Sequence, residues 1–340
     1  MQADALRVAL AAAASAVVLI AFGAMRSDSA SAGGSATSAD FKKDPTAALA
    51  QMKAEYRRPA TIPFPKDNPY TVEKASLGKK LFFDTRLSAA NLLSCGSCHS
   101  PAYGWGDGQP TGVGHGMKKL GRRSPTIINA AFGQIFMWDG RAGSLEEQAL
   151  GPIRADVEMN LPVDQLLEKL KGIEGYRPLF QAVFPREGIA PETIAKAIAT
   201  YERTVVSARA PFDAWIGGDE TAISPQAVRG FVLFNTKARC VDCHTGWNFT
   251  DDSFHDIGLA STDIGRAKIV QGIEKMIYAF KTPDCVRSRS AAPTCMTAPF
   301  RRWTLSWITT IAVGSIGLAA LHRSSRFACR SKSVTISSPS

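Results

Sequence analysis

Two pentads in this chain could do chemistry that few other short motifs allow: Cys95-Gly-Ser-Cys98-His99 and Cys240-Val-Asp-Cys243-His244, 145 residues apart. Two thiols at this spacing can each add to a vinyl group of one haem. The histidine that follows then falls under the iron as its proximal ligand. Paired cysteines can also hold structural zinc, but zinc knuckles place their Cys-x-x-Cys units within about 15–20 residues of each other. Neither zinc nor a redox dithiol accounts for a histidine directly after the second cysteine in both copies. The pattern reads as two covalently attached c-type haems, with His99 and His244 as iron ligands.

The elements that must position these motifs read as helices separated by long loops. Ser144-Leu-Glu-Glu147 is a capping box that opens a short helix to about Pro152. Pro191 sits where a first-turn proline belongs, and Ile194, Ile198, Tyr201 and Val205 follow at helical spacing. Ser224-Pro225 starts another helix, with Val228, Phe231 and Val232 on one face, leading into the second pentad. No strand pattern is sustained. The fold class expected is therefore mostly α, with two cytochrome c-like haem domains and a boundary at Ala208–Ile223.

The 340 residues suffice for two ordinary domains. Residues 1–32 read as a secretory signal. Arg7 precedes the uncharged run Val8–Ala24, and Ala30-Ser31-Ala32 offers a cleavage site. At ~1.5 Å per residue the run reaches ~25 Å, short of the ~30 Å of a bilayer core, although an uncleaved anchor stays open. Export to the periplasm fits covalent haem attachment. Residues 33–69 read as a flexible leader and linker, 70–210 as the first haem domain and 224–283 as the second. The formal charge of +10 is concentrated in residues 285–340, which hold eight Lys or Arg and no acid. The rest is close to neutral, so the charge gives no reason to expect nucleic acid as a partner.

Further stretches carry a resemblance: Leu77-Gly-Lys-Lys-Leu-Phe-Phe-Asp84, Gly114-His115-Gly116, Arg122–Thr126, Asn129, Trp138-Asp-Gly-Arg141, Gln148 and Val157-Glu-Met-Asn160. Phe254-His-Asp-Ile-Gly258 and Phe280-Lys-Thr-Pro283 extend it. In order and spacing, residues 70–283 resemble the bacterial di-haem cytochrome c peroxidases, whose superfamily includes the MauG-type di-haem oxidases. The resemblance implies a first haem at which hydrogen peroxide is reduced. Electrons would come from a small donor, such as a mono-haem cytochrome c or a cupredoxin, and enter at the second haem. It is compatible with a homodimer. A MauG-like oxidase acting on a partner protein or small molecule, and a non-catalytic electron-transfer cytochrome, are the other readings.

The same resemblance implies roles for single residues. His115 would cap the first iron in the resting oxidised state and swing away on activation. Glu158 would be the acid/base that moves a proton between peroxide oxygens, a task that needs a carboxyl with a tuned pKa. Gln148 would hydrogen-bond in the same pocket, and Trp138 would lie on the electron path between the haems. Asn129 would be a protein ligand of a calcium ion between the haems. Arg141 would pair with a haem propionate. On residue type alone, each also fits a solvated loop or a core position.

After Pro283 the resemblance stops. Cys285, Cys295 and Cys329 lie here, and Trp303–Leu321 is an uncharged run of 19 residues in which seven are Ser, Thr or Gly. That is near the length of a membrane span but poor in hydrophobicity. The codon table offers another explanation. Joining the last base of each codon to the first two of the next forces Asp at Met296-Thr297, Trp303-Thr304 and Trp307-Ile308. It also permits a Tyr at Thr309-Thr310 and excludes Met. The ordered run resembles what the family carries at this point. Residues 284–340 are therefore expected to be a frameshifted translation that lacks the distal ligand of the second haem.

Overall fold

The computed structural model describes residues 43–284, which lie within one compact unit. The signal segment and the tail after Asp284 fall outside the described residues, and with them the anchor and frameshift expectations. In chain order the helices are Pro45–Glu55 (α1), Val72–Phe83 (α2), the single turn Cys95–Cys98 (α3), Leu145–Arg154 (α4), Val163–Lys171 (α5), Tyr176–Val183 (α6), Pro191–Thr204 (α7), Pro211–Ile216 (α8) and Pro225–Asn235 (α9). Two-residue strands, Phe254–His255 (β1) and Phe280–Lys281 (β2), pair antiparallel with Phe254 opposite Lys281. The mostly α architecture expected from the sequence is the one the chain adopts, and no helix of the described residues is long and apolar enough to cross a membrane.

Helix starts follow local chemistry. Ser144 Oγ accepts from the Glu147 amide at 3.0 Å, as the capping box requires. The reciprocal bond differs: Glu147 Oε2 accepts from the Gly143 amide at 2.7 Å, one residue before the cap. Ser224 caps α9 through the Ala227 amide at 3.2 Å. The expected face of α7 is buried throughout, at Ile194, Ile198, Tyr201 and Val205. It meets Leu77, Leu81 and Phe82 of α2, and α4, α5 and α6 complete this first core with Ile153, Leu166, Leu170 and Phe180. Helices α2 and α7 cross so closely that a Cβ on Gly78 would lie 1.9 Å from the Ala197 carbonyl oxygen, a position only glycine can occupy.

The second core corrects two expectations. Residues 45–55, read as part of a flexible leader, form α1, capped by Asp44 through the Thr46 and Ala47 amides at 3.0 Å. Ala48, Met52 and Tyr56, spaced four apart, bury against Trp215, Ile216 and Phe231. Tyr56 also donates to Asn235 Oδ1 at 2.8 Å. The boundary stretch 208–223 likewise carries α8, whose Trp215 is fully buried. The physical reason is the same in both places: a short helix with few, widely spaced apolar residues gains its stability from tertiary burial, which local periodicity does not reveal.

Candidate haem sites

The first pentad forms the single turn α3, tightened by the Ser94 amide donating to Ser97 Oγ at 3.0 Å and by the His99 amide donating to the Cys95 carbonyl at 2.9 Å. Gly96 lies against Phe83, where a Cβ would come within 2.4 Å of the ring. His99 Nδ1 is 3.0 Å from the Pro125 carbonyl oxygen and 3.2 Å from that of Trp105. Carbonyls only accept, so Nδ1 carries the proton and Nε2 keeps its lone pair. Burial lowers the His99 pKa, which favours the neutral ring. A neutral imidazole held in one tautomer by a backbone carbonyl is what an iron ligand requires. Burial also raises both Cys95 and Cys98, which disfavours the thiolates that zinc would need.

Above this turn opens a cavity of about 390 Å³. Its lining brings Cys95, Cys98 and His99 together with Trp138, Arg141, Gln148 and Glu158, and Ala149, Met159 and Ile198 supply apolar wall. An apolar cleft with a few convergent polar groups suits a cofactor, and these residues fit a haem held through two thioethers and His99. Burial raises the Glu158 pKa, with the nearby Arg141 charge opposing it. Trp138 Nε1 donates to the Arg123 carbonyl at 2.7 Å, and the Trp138 carbonyl accepts from the Lys281 amide at 2.8 Å. The indole is thus fixed between the first cleft and β2.

His115 is not among the lining residues; Gly114 is. The His115 amide donates to the Val157 and Glu158 carbonyls at 3.1 and 2.8 Å. Gly116 and Met117 then turn the chain away, both in the left-handed region at φ 62° and 61°. A Cβ on Gly114 would sit 1.9 Å from the Val157 carbonyl oxygen, so the two loops are in direct backbone contact. His115 thus neighbours a residue of the cleft wall without itself lining the cleft. It is bound instead to the loop that carries Glu158.

The second pentad repeats the tautomer device. His244 Nδ1 donates to the Phe249 carbonyl at 2.9 Å, leaving Nε2 as the ligating nitrogen. Cys240 and Cys243 have raised pKa values, chiefly from burial. Asn129, the expected calcium ligand, is fully buried, and its amide bridges the segments of the two haems. Oδ1 accepts from the Ser207 amide at 2.9 Å and Nδ2 donates to Asn248 Oδ1 at 3.0 Å. It lines a cavity of about 100 Å³ with Asp252 and Asp284, where the Lys281 ammonium already pairs with Asp252 at 2.9 Å. Lys281 holds Asp252, while Asp284 is a second, buried carboxyl whose pKa is raised by desolvation and Asn129 Oδ1 keeps one lone pair, so oxygen donors of the kind calcium takes are present here.

Two features escaped the sequence reading. One is an ion-pair chain: Asp139 takes Arg122 at 2.7 Å and Arg141 at 2.9 Å, and Arg122 reaches on to Asp263 at 2.6 Å. Arg141 thus pairs with protein rather than projecting alone. The other is Glu202 of α7, buried and lining the first cleft. The only signal for it was a carboxylate one position after the apolar Tyr201.

Comparison with known proteins agrees with this geometry. The family model for di-haem cytochrome c peroxidase matches residues 72–221. The chain is 52% identical over 248 residues to the methylamine utilization protein MauG of Methylorubrum extorquens, covering 72% of this chain and 70% of the relative. It is 36% identical over 264 residues to the cytochrome c551 peroxidase of Pseudomonas aeruginosa, covering 76% and 75%. Among solved structures, a MauG-like protein associated with microbial copper homeostasis superposes with a TM-score of 0.61 at 28% identity, over 67% of this chain and 73% of that one. With likenesses running along most of its relatives' length, the chain belongs to the di-haem cytochrome c peroxidase family and is an oxidoreductase for two c-type haems.

Proposed function

We propose that the protein reduces hydrogen peroxide in the first cleft, using electrons that a small redox donor delivers at the second haem. The observation that supports this reading is the meeting of Glu158 and Gln148 with Cys95, Cys98 and His99 around one cavity. The haem supplies the electrons that cleave the O–O bond. The protein's own residues do the rest. Glu158, whose pKa is raised by burial, is suited to hold a proton and pass it from one peroxide oxygen to the other. Gln148 orients the peroxide by hydrogen bonding, and the apolar walls limit water. His99, locked by Pro125 and Trp105, keeps its ligating nitrogen aimed at the iron. Trp138, held at Arg123 and at Lys281, is the group through which electrons pass. The uncharged run Val8–Ala24 supports the periplasm as its place of work.

A second reading is favoured by the 52% identity to MauG: a MauG-like oxidase that draws electrons from a partner protein or small molecule. Steady-state assay with hydrogen peroxide and a reduced mono-haem cytochrome c or cupredoxin separates the two. The peroxidase reading expects two donor electrons consumed per peroxide at sustained turnover. Peroxide consumption that ignores every such donor would favour the oxidase.

A further inference from the structure

Glu202 is a buried carboxyl for which neither the haem attachment nor the proposed peroxide chemistry has a use. It is 3% exposed, it lines the first cleft, and its Oε2 has no hydrogen-bond partner among the described residues. Its neighbour Arg203 does not neutralise it. That guanidinium is committed to Glu146 of α4 through bonds of 2.7 and 2.9 Å. Cys95 of α3, a haem attachment point, lies close enough to the Glu202 carboxyl for the two groups to interact electrostatically. Glu158, Arg141 and His99 line the same cavity. Burial holds the Glu202 carboxyl up at about 8 against an ordinary 4.5, with Arg203 opposing and Glu146 reinforcing the shift. Burying a polar group without a partner is costly, so its position beside the cofactor calls for a function.

We propose that Glu202 is a proton-loading residue of the first haem site, taking a proton from solvent when the iron there gains an electron and releasing it when the electron leaves. The inference rests on the placement of the first haem in this cleft and extends the peroxide reading. In the step, ferric iron and a Glu202 carboxylate become ferrous iron and a Glu202 carboxylic acid. One electron comes from the small redox donor and one proton from hydronium or a buffer acid in the solvent. The O–H bond of Glu202 forms as the donor acid's own bond to that proton breaks. The driving force is Coulombic: removing one unit of positive charge from a nearby iron, in a poorly screened interior, favours the neutral acid. One of the protons that peroxide reduction consumes is then already inside the protein before peroxide arrives.

The test is a potentiometric titration of the first haem in the holoprotein at a series of pH values, without peroxide. The potential is expected to fall by about 59 mV per pH unit across the neutral range, the value for one proton per electron. Glu202→Gln should abolish most of that slope, Glu202→Asp should retain it, and Glu158→Gln should leave it in place. An undiminished slope in Glu202→Gln, or its loss only in Glu158→Gln, overturns the proposal. Redox-difference infrared spectra of the unmutated holoprotein decide the case if the variants misfold. A protonated-carboxyl band should appear on reduction, and its absence would equally overturn the idea. Peroxide is absent throughout, so failure here is distinct from failure of the peroxidase reading, which the donor assay decides.

Discussion

At the scale of single residues, the duties proposed for Glu158 and Trp138 are separable. Glu158→Gln should slow peroxide cleavage by ~10²-fold or more in stopped-flow mixing, with both haems still found by mass spectrometry. An unchanged rate would show that another carboxyl does this work. Trp138→Phe keeps a ring in place but loses the hydrogen bond to the Arg123 carbonyl. Photoinduced transfer between the haems should be slower in this variant, and an unaltered rate would take the indole off the path. The pentads, Glu158, Gln148 and Trp138 were legible because each lies in a recognisable local string. Glu202 was not, since a carboxylate in the last turn of a helix reads as solvated, and only packing against α3 and α4 shows it buried. His115 was legible as a residue but not as a position, because its loop is set by backbone bonds to residues 157 and 158.

At the scale of elements, the α2–α7 crossing and the α1 clamp fix the two haem regions by different means. Gly78→Ala would drive a methyl into the Ala197 carbonyl, and overpacking of this kind costs about 1–3 kcal/mol. A lowered Tm in calorimetry, with the His99 spectrum preserved, is the expected result. Tyr56→Phe removes the bond to Asn235 and should cost about 1 kcal/mol, read from denaturant midpoints. Helix α7 could be drawn from its sequence because Pro191 and four apolar residues at helical spacing agree. Helix α1 could not, since Ala48 and Met52 are weak markers and their partners lie more than 150 residues away.

At the scale of the molecule, pH acts on stability through opposing groups. Glu202 has a raised pKa, so between about 4.5 and about 8 the unfolded chain has lost a proton that the folded chain retains. Stability therefore falls as pH rises through that window. Asp263 has the reverse sign: its bonds to Arg122 hold it well below the usual carboxylate range, and its contribution is lost in acid. In the reduced protein, Glu202→Gln should raise Tm more at pH 8 than at pH 5. An equal gain at both would mean that Glu202 is ionised in the folded protein throughout.

The partnership of α1 with α8 and α9 has a consequence for how the chain is made. Tyr56 and Asn235 are 179 positions apart, and the whole first core, from Leu77 to Val205, lies between them. In topological terms the unit bearing the first pentad is an insertion in a loop of the other. During synthesis from the N-terminus, the inserted unit can pack as soon as α7 has emerged. The host must hold α1 unsatisfied until α9 appears, and closing so long a loop is the slower event. The unit folded first is therefore the one bearing Cys95 and Cys98, and the second core is the one exposed to misassembly when haem supply falls behind.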